Sequence, residues 1–233
     1  MSGTLYGVGL GPGDPELMTR KAERLIAGAT VIAYPAPDTG DSFARSIAAE
    51  TIPETAEEIA IRIPMCAERF PAQDVYDAAA STLSDRLLSG RDVVVLCEGD
   101  PFFYGSFMYL FARLAERHPT EIVPGVASLA ACAAAARRPL SARNEALTVL
   151  PGPLDDAALE ARLSAVGAAA IMKVGRHLPR LRALIERLGL ARRAVYVARA
   201  SLPDETVLPL AEAPDTAPYF SMILIQGSDP HVA

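Results

Sequence analysis

The stretch Asp92-Val93-Val94-Val95-Leu96-Cys97-Glu98-Gly99-Asp100-Pro101 decides the fold of this chain. Val93 to Leu96 run apolar without alternation. A strand of that kind has to be covered on both faces, as in a parallel sheet lying between helices. The run stops in a Glu-Gly-Asp-Pro turn, and the next residues, Phe102, Phe103, Tyr104, Gly105 and Ser106, crowd aromatic rings against a second glycine. In open α/β sheets the carboxyl ends of the strands face the ligand crevice, so the same stretch that sets the fold also marks a candidate site. A carboxylate there can hold a hydroxyl or a cation, while the glycines let a ligand approach the backbone.

Working back towards the N-terminus, a short strand over 5–10 runs into Gly9-Leu10-Gly11-Pro12-Gly13-Asp14-Pro15 and then a helical pattern ending at Gly28. This resembles a dinucleotide loop but departs from it. The glycine needed at the sixth position is Asp14, Pro12 has no N–H to offer a phosphate, and a carboxylate at a helix start repels one while capping the helix. Working forward, a strand over 121–123 meets Val123-Pro124-Gly125-Val126-Ala127-Ser128 and a helix over 127–136 that is apolar nearly all round, hence expected to be buried. Three loops, each following a strand, point to one shared crevice.

Between and beyond these landmarks, strands alternate with helices. Strands are expected over 30–34, ended by Pro35 and Pro37, and over 57–63, 146–150, 170–174, 194–198 and 220–225. Helices are expected over 41–47, over 74–88 with Asp74 as cap, and over 107–116, 157–166 and 179–188. The alternation implies α/β layering. His118-Pro119 breaks a helix, which places a boundary between an N-terminal α/β domain, 1–118, and a C-terminal α/β domain, 119–233.

The 233 residues are 51% hydrophobic, enough for a large core, and the net charge of -6 argues against a nucleic-acid partner. The basic residues are almost all arginine, with only Lys21 and Lys173 as lysines. Cys66, Cys97 and Cys132 form no CxxC pair, and His118, His177 and His231 do not gather with them, so no metal site and no disulfide framework are expected and a reducing cytoplasm is the default. The apolar run 122–136 is too short to cross a membrane and is broken by Pro124-Gly125, and no basic-then-apolar leader is seen at the N-terminus.

The motifs VGLGPGDPELMT (8–19), LCEGDPFFYGSF (96–107) and IVPGVAS (122–128), in this order, resemble the tetrapyrrole (corrin and porphyrin) methylase family over essentially the whole chain. LCEGDPFFYGSFMYL, MKVGR and YFSMILI narrow the likeness to the cobalamin-synthesis branch, acting at meso carbon 20. The resemblance implies two α/β domains, mostly parallel sheet in the first and mixed sheet in the second, with a ligand crevice between them. It implies methyl transfer from S-adenosylmethionine, leaving S-adenosylhomocysteine, to a carbon of a reduced tetrapyrrole, with no protein-bound metal. It also implies a homodimer, with no membrane and no nucleic acid as partner. Carried over position by position, the cofactor site takes Pro12, Gly99, Asp100, Pro101, Ala127, Ser128, Ala200, Ser221 and Met222, with Met172 and Val174 as alternatives beside the adenine. Asp100, Tyr104 and Glu98 are the candidates for proton removal. Gly11, Arg143, Arg176, His177 and Arg199 are the candidates for the carboxylate-rich substrate, with Arg45, Arg62, Arg137, Arg138 and Lys173 as further members of a basic set.

Overall fold

A computed structural model describes residues 2–64, 70–165 and 167–227. The expectations for Cys66 and His231 fall outside these residues. The chain divides into two compact units, Met1–Ala127 and Ser128–Ala233.

The first unit contains β1 (Leu5–Gly9), α1 (Arg20–Ala27), β2 (Val31–Pro37), α2 (Phe43–Ile47), β3 (Glu57–Ile63), α3 (Phe70–Leu88), β4 (Val93–Cys97), α4 (Phe107–Leu114) and β5 (Thr120–Val123). Its strands form one sheet in the order β3-β2-β4-β1-β5, and every pairing is parallel. The unbroken apolar run of β4 now has its reason. Val93, Val95 and Cys97 pack with Tyr76, Leu83 and Leu87 of α3 and Phe107, Leu110 and Leu114 of α4. Val94 and Leu96 pack on the opposite face with Ala22 and Ile26 of α1 and Ala44 and Ile47 of α2. Period-two alternation therefore sorts one strand between two cores.

Several local expectations shift. Asp14 does not cap α1. Its carboxylate accepts from the N–H of Glu16 at 2.9 Å and closes a short 3-10 turn, Pro15–Leu17, while Thr19 caps α1 by accepting from Ala22 at 3.1 Å. The helix α3 starts at Phe70, so Asp74 lies inside it rather than at its end. The prolines do not end β2, which stays paired with β3 as far as Pro37↔Ile63. Its pairing with β4 covers only Ile32 and Ala33, ahead of Pro35, so the missing N–H groups fall where one ladder has already parted. Most consequential is β5. It pairs with β1 through Leu5↔Thr120 and Val8↔Val123, so it completes the first sheet instead of opening the second. The boundary expected after residue 118 thus lies after Ala127.

The second unit contains α5 (Ser128–Ala136), β6 (Leu147–Pro151), α6 (Asp156–Leu163), β7 (Ala168–Met172), α7 (Leu178–Arg187), β8 (Ala194–Ala198), β9 (Thr206–Pro209) and β10 (Ser221–Ile225). Its sheet runs β6-β7-β10-β8-β9. Only β6 and β7 are parallel; β10 is antiparallel to both its neighbours, and β9 is antiparallel to β8. Ala169, Ile171, Tyr196 and Ile223 meet Leu159 and Leu163 of α6 and Leu178, Leu181 and Leu184 of α7. Against expectation, α5 is not buried all round: Ala131 and Cys132 are buried, and Ala130 and Ala134 are exposed. Alanine carries its own helix propensity, so a run of it needs little burial to stay helical.

Candidate cofactor and substrate site

In the first sheet the connection from β1 passes over one face, through α1, and that from β4 passes over the other, through α4. Adjacent strands whose connections diverge open a crevice at their carboxyl ends. Here that edge carries the glycine-rich loops. Leu10 donates to the carbonyl of Cys97 at 2.9 Å. Gly11 and Gly99 exchange both backbone hydrogen bonds, at 3.2 and 2.7 Å, as a one-pair antiparallel bridge. Gly11 holds φ at +81°, which favours glycine. The third loop presses still closer: a Cβ on Gly125 would stand 2.0 Å from the carbonyl oxygen of Gly99 and 2.9 Å from backbone atoms of Gly9. Pro12 is half-buried beside this junction, and Pro101 is buried within it.

The Asp100 carboxylate is engaged on both oxygens. Oδ1 accepts from the N–H of Phe102 at 2.9 Å and of Phe103 at 3.1 Å, and Oδ2 accepts from Gly125 at 3.1 Å. Glu98 continues the Val94 and Leu96 face. Its carboxyl receives the N–H of Ala44 in α2, but burial outweighs this and pushes the carboxyl above the usual carboxylate range. Tyr104 sits in the left-handed region at φ +58°, 41% exposed, with its ring edge-on to Phe103 at 5.2 Å. Among residues 9–14, 98–106 and 124–127 there are three carboxylates and no Lys or Arg.

The second unit gathers other candidates at one edge of its sheet. Met172 and Met222 are direct partners across β7 and β10, Ser221 stands opposite Ala198, and Ala200 lies just past the end of β8. The structure separates the two alternatives for the adenine. Met172 and Met222 lie off the face that packs on α6 and α7. The Val174 side chain is fully buried in that core with Leu178 and Leu181, leaving its backbone as what it can present. The Ser221 hydroxyl donates to the Pro218 carbonyl at 2.7 Å and accepts from Gly175 at 3.4 Å. Ser128 opens α5 and Ala127 closes the first unit.

Arg176 and His177 form a 3-10 turn just after β7. Burial, then the neighbouring Arg180 and Arg176, hold the His177 imidazole below its ordinary value. Lys173 and Arg199, at the ends of β7 and β8, adopt φ of +57° and +54°, and Arg143 adopts +48° in the loop before β6. Arg199 is paired with Asp204 at 2.5 Å and keeps that carboxyl below its usual range. Other basic residues serve as internal ties. Arg45 grips Glu58 with two bonds, at 2.6 and 2.8 Å. Arg62 donates to the carbonyls of Pro37 and Gly40, and Arg138 donates to that of Arg193. Arg137, in the left-handed region at φ +52°, closes the end of α5. The order of residues does not mark Arg45, Arg62 and Arg138 as ties, because each reaches a partner 13 or more positions away in the chain.

The two α/β sheets, the first with glycine loops at its carboxyl edge, place the chain in the layered α/β class. The chain belongs to the Tetrapyrrole (Corrin/Porphyrin) Methylases, whose family model matches residues 4–214. It is 40% identical to the precorrin-2 C(20)-methyltransferase of Sinorhizobium sp, over 97% of this chain and 96% of that one. It is 32% identical to the cobalt-precorrin-2 C(20)-methyltransferase of Salmonella typhimurium, over 97% of each chain. The solved structure of a cobalt precorrin-4 methyltransferase, CbiF, superposes with a TM-score of 0.74 at 26% identity, covering 96% of this chain and 94% of the other. As the family resemblance implied, an all-parallel sheet is followed by a mixed one.

Proposed function

We propose that this chain transfers a methyl group from S-adenosylmethionine to carbon 20 of precorrin-2, giving precorrin-3A in cobalamin biosynthesis. The observation that carries the reading is the end-to-end likeness to the Sinorhizobium enzyme, 40% identity with both chains almost fully covered. The carboxyl edge of the first sheet fits the donor. Its loops after β1, β4 and β5 offer backbone groups and the carboxylates of Asp14, Glu98 and Asp100 without a basic side chain, an environment that suits a sulfonium and an ammonium and repels a phosphate. When bound, the donor supplies an electrophilic methyl on a good leaving group. What remains for the protein is positioning, which is the main source of rate when no difficult proton transfer precedes bond making.

On this reading Pro12, Gly99, Asp100, Pro101, Ala127 and Ser128, with Met172, Val174, Ala200, Ser221 and Met222, hold the donor. Gly11 shapes the wall beside the acceptor. Arg143, Arg176, His177 and Arg199 meet the carboxylates of the acceptor, for which guanidinium forks are suited. After transfer, a proton leaves carbon 20 or is redistributed over the ring nitrogens. Of the candidates, Tyr104 is the most exposed, while Asp100 and Glu98 already accept backbone N–H groups. A homodimer in the cytoplasm belongs to the same reading and is checked by light scattering and cell fractionation.

The test is incubation with precorrin-2 and methyl-labelled S-adenosylmethionine, followed by NMR of the product. Label at carbon 20 is expected. Label at another ring carbon, or none, overturns the assignment. A parallel incubation with cobalt-loaded precorrin-2 decides between the two substrate forms named in the relatives.

A further inference from the structure

We propose that Asp100 is a positioning residue, a clamp that holds the third loop of the first unit against the turn after β4, and not the group that accepts the proton. The carboxylate bridges two separate segments. Oδ1 closes its own turn by accepting from Phe102 and Phe103, and Oδ2 reaches across to the Gly125 N–H at 3.1 Å. An ionised carboxylate is an acceptor only, and three backbone donors fix the direction of both its oxygens. The segment it holds needs holding. Gly125 lies so close to Gly99 that a single added carbon would stand 2.0 Å from the Gly99 carbonyl oxygen. The first loop is already tied to the second by the Gly11–Gly99 bridge. Asp100 ties the third, so the three loops form one platform.

The consequence for methyl transfer rests on the function proposed above. Reacting atoms have to be held about 3–3.5 Å apart and aligned, and a shift of about 1 Å costs on the order of a hundredfold in rate. A platform whose third loop drifts would lose donor affinity and alignment together. A lost general base, by contrast, would leave donor binding intact and remove about 10²–10⁴-fold in turnover.

The decisive variant is Asp100→Asn. Its remaining oxygen still accepts from Phe102 and Phe103, but its amide confronts the Gly125 N–H donor to donor. Hydrogen exchange of the cofactor-free protein is expected to accelerate about tenfold or more at Gly125 and to stay near wild type at Phe102 and Phe103. Asp100→Ser, whose hydroxyl can close the local turn but is too short to reach Gly125, is expected to give the same pattern and guards against a folding defect in the first variant. S-adenosylhomocysteine is expected to bind about tenfold more weakly to both, and the residual turnover is expected to keep the wild-type pH profile. Unchanged Gly125 exchange overturns the clamp. So does normal S-adenosylhomocysteine binding with a collapsed turnover and an altered acidic limb. The exchange arm uses no methyl acceptor. A chain that fails to methylate precorrin-2 therefore sinks the function proposed above and leaves the clamp standing, while unchanged exchange does the reverse.

Discussion

The two units differ in which residues take up left-handed backbone. In the first, the left-handed positions are mostly glycines, Gly11 and Gly99 among them, with Tyr104 the non-glycine residue there among those described. In the second, Gly175 and Gly189 are joined there by Arg137, Arg143, Lys173, Arg199 and Ser201. A non-glycine residue in that region costs about 1–2 kcal/mol. The first unit uses backbone where side chains would obstruct. The second retains side chains, most of them cationic, where glycine would be easier. The loops follow suit: those after β1, β4 and β5 are acidic and free of Lys and Arg, while the residues after β7 and β8 in the second unit are basic. The contrast is between a first unit whose loops present backbone and carboxylates and a second whose strand ends present cationic side chains.

The contrast breaks most visibly at Gly125. Gly125→Leu sets a side chain into backbone and is expected to abolish S-adenosylhomocysteine binding by calorimetry; a variant that binds normally would show the tight junction to be dispensable. Core truncation comes next. Leu96→Ala in the first unit and Ile223→Ala in the second, both fully buried, should each cost about 2–5 kcal/mol in denaturant unfolding. Hydrogen exchange should rise mainly in the unit that carries the change. Arg176→Ala should raise the KM for precorrin-2 about tenfold while donor affinity holds, since a charge-assisted bond contributes about 1.5–3 kcal/mol. An unchanged KM would remove Arg176 from the acceptor site.

A smaller pair of variants tests the left-handed backbone positions directly. Gly11→Ala should lose about 1–2 kcal/mol, whereas Lys173→Gly should stay within about 1 kcal/mol of wild type in a thermal melt. The smallest effect concerns pH. His118 is buried, hydrogen-bonded to Ser84 at 2.9 Å and Ser2 at 3.2 Å, and held below its ordinary value first by burial and then by Arg117. Below about pH 6.5 the unfolded chain takes up the proton before the folded one does. Stability should therefore fall as the solution is acidified through that range, by at most about 1.4 kcal/mol per pH unit from this group. His118→Gln should flatten the slope; an equally steep slope would clear His118.

Much of the layering was legible because it is local. The covered strand expected over 92–96 is β4, Val93–Cys97, and the glycines and prolines after β1, β4 and β5 mark the loops that follow those strands. The expected strand over 194–198 coincides with β8 because β-branched residues and flanking turns agree there. What stayed hidden depends on partners. The strand β9, Thr206–Pro209, is a short and largely exposed edge with no apolar pattern to betray it; it exists by pairing with β8. Pro35 and Pro37 read as a stop until β3 is seen to carry the ladder past them.

The amino-acid order alone thus settled the alternation of strands and helices, the three loops and the family. Tertiary structure decided which sheet β5 joins, which face Met172 and Val174 take, and that Asp100 spends both oxygens on backbone. The pairings of β5 with β1, of Met172 with Met222 and of Asp100 Oδ2 with Gly125 join residues distant in the chain, and such long-range pairings leave no periodic trace in the order of residues.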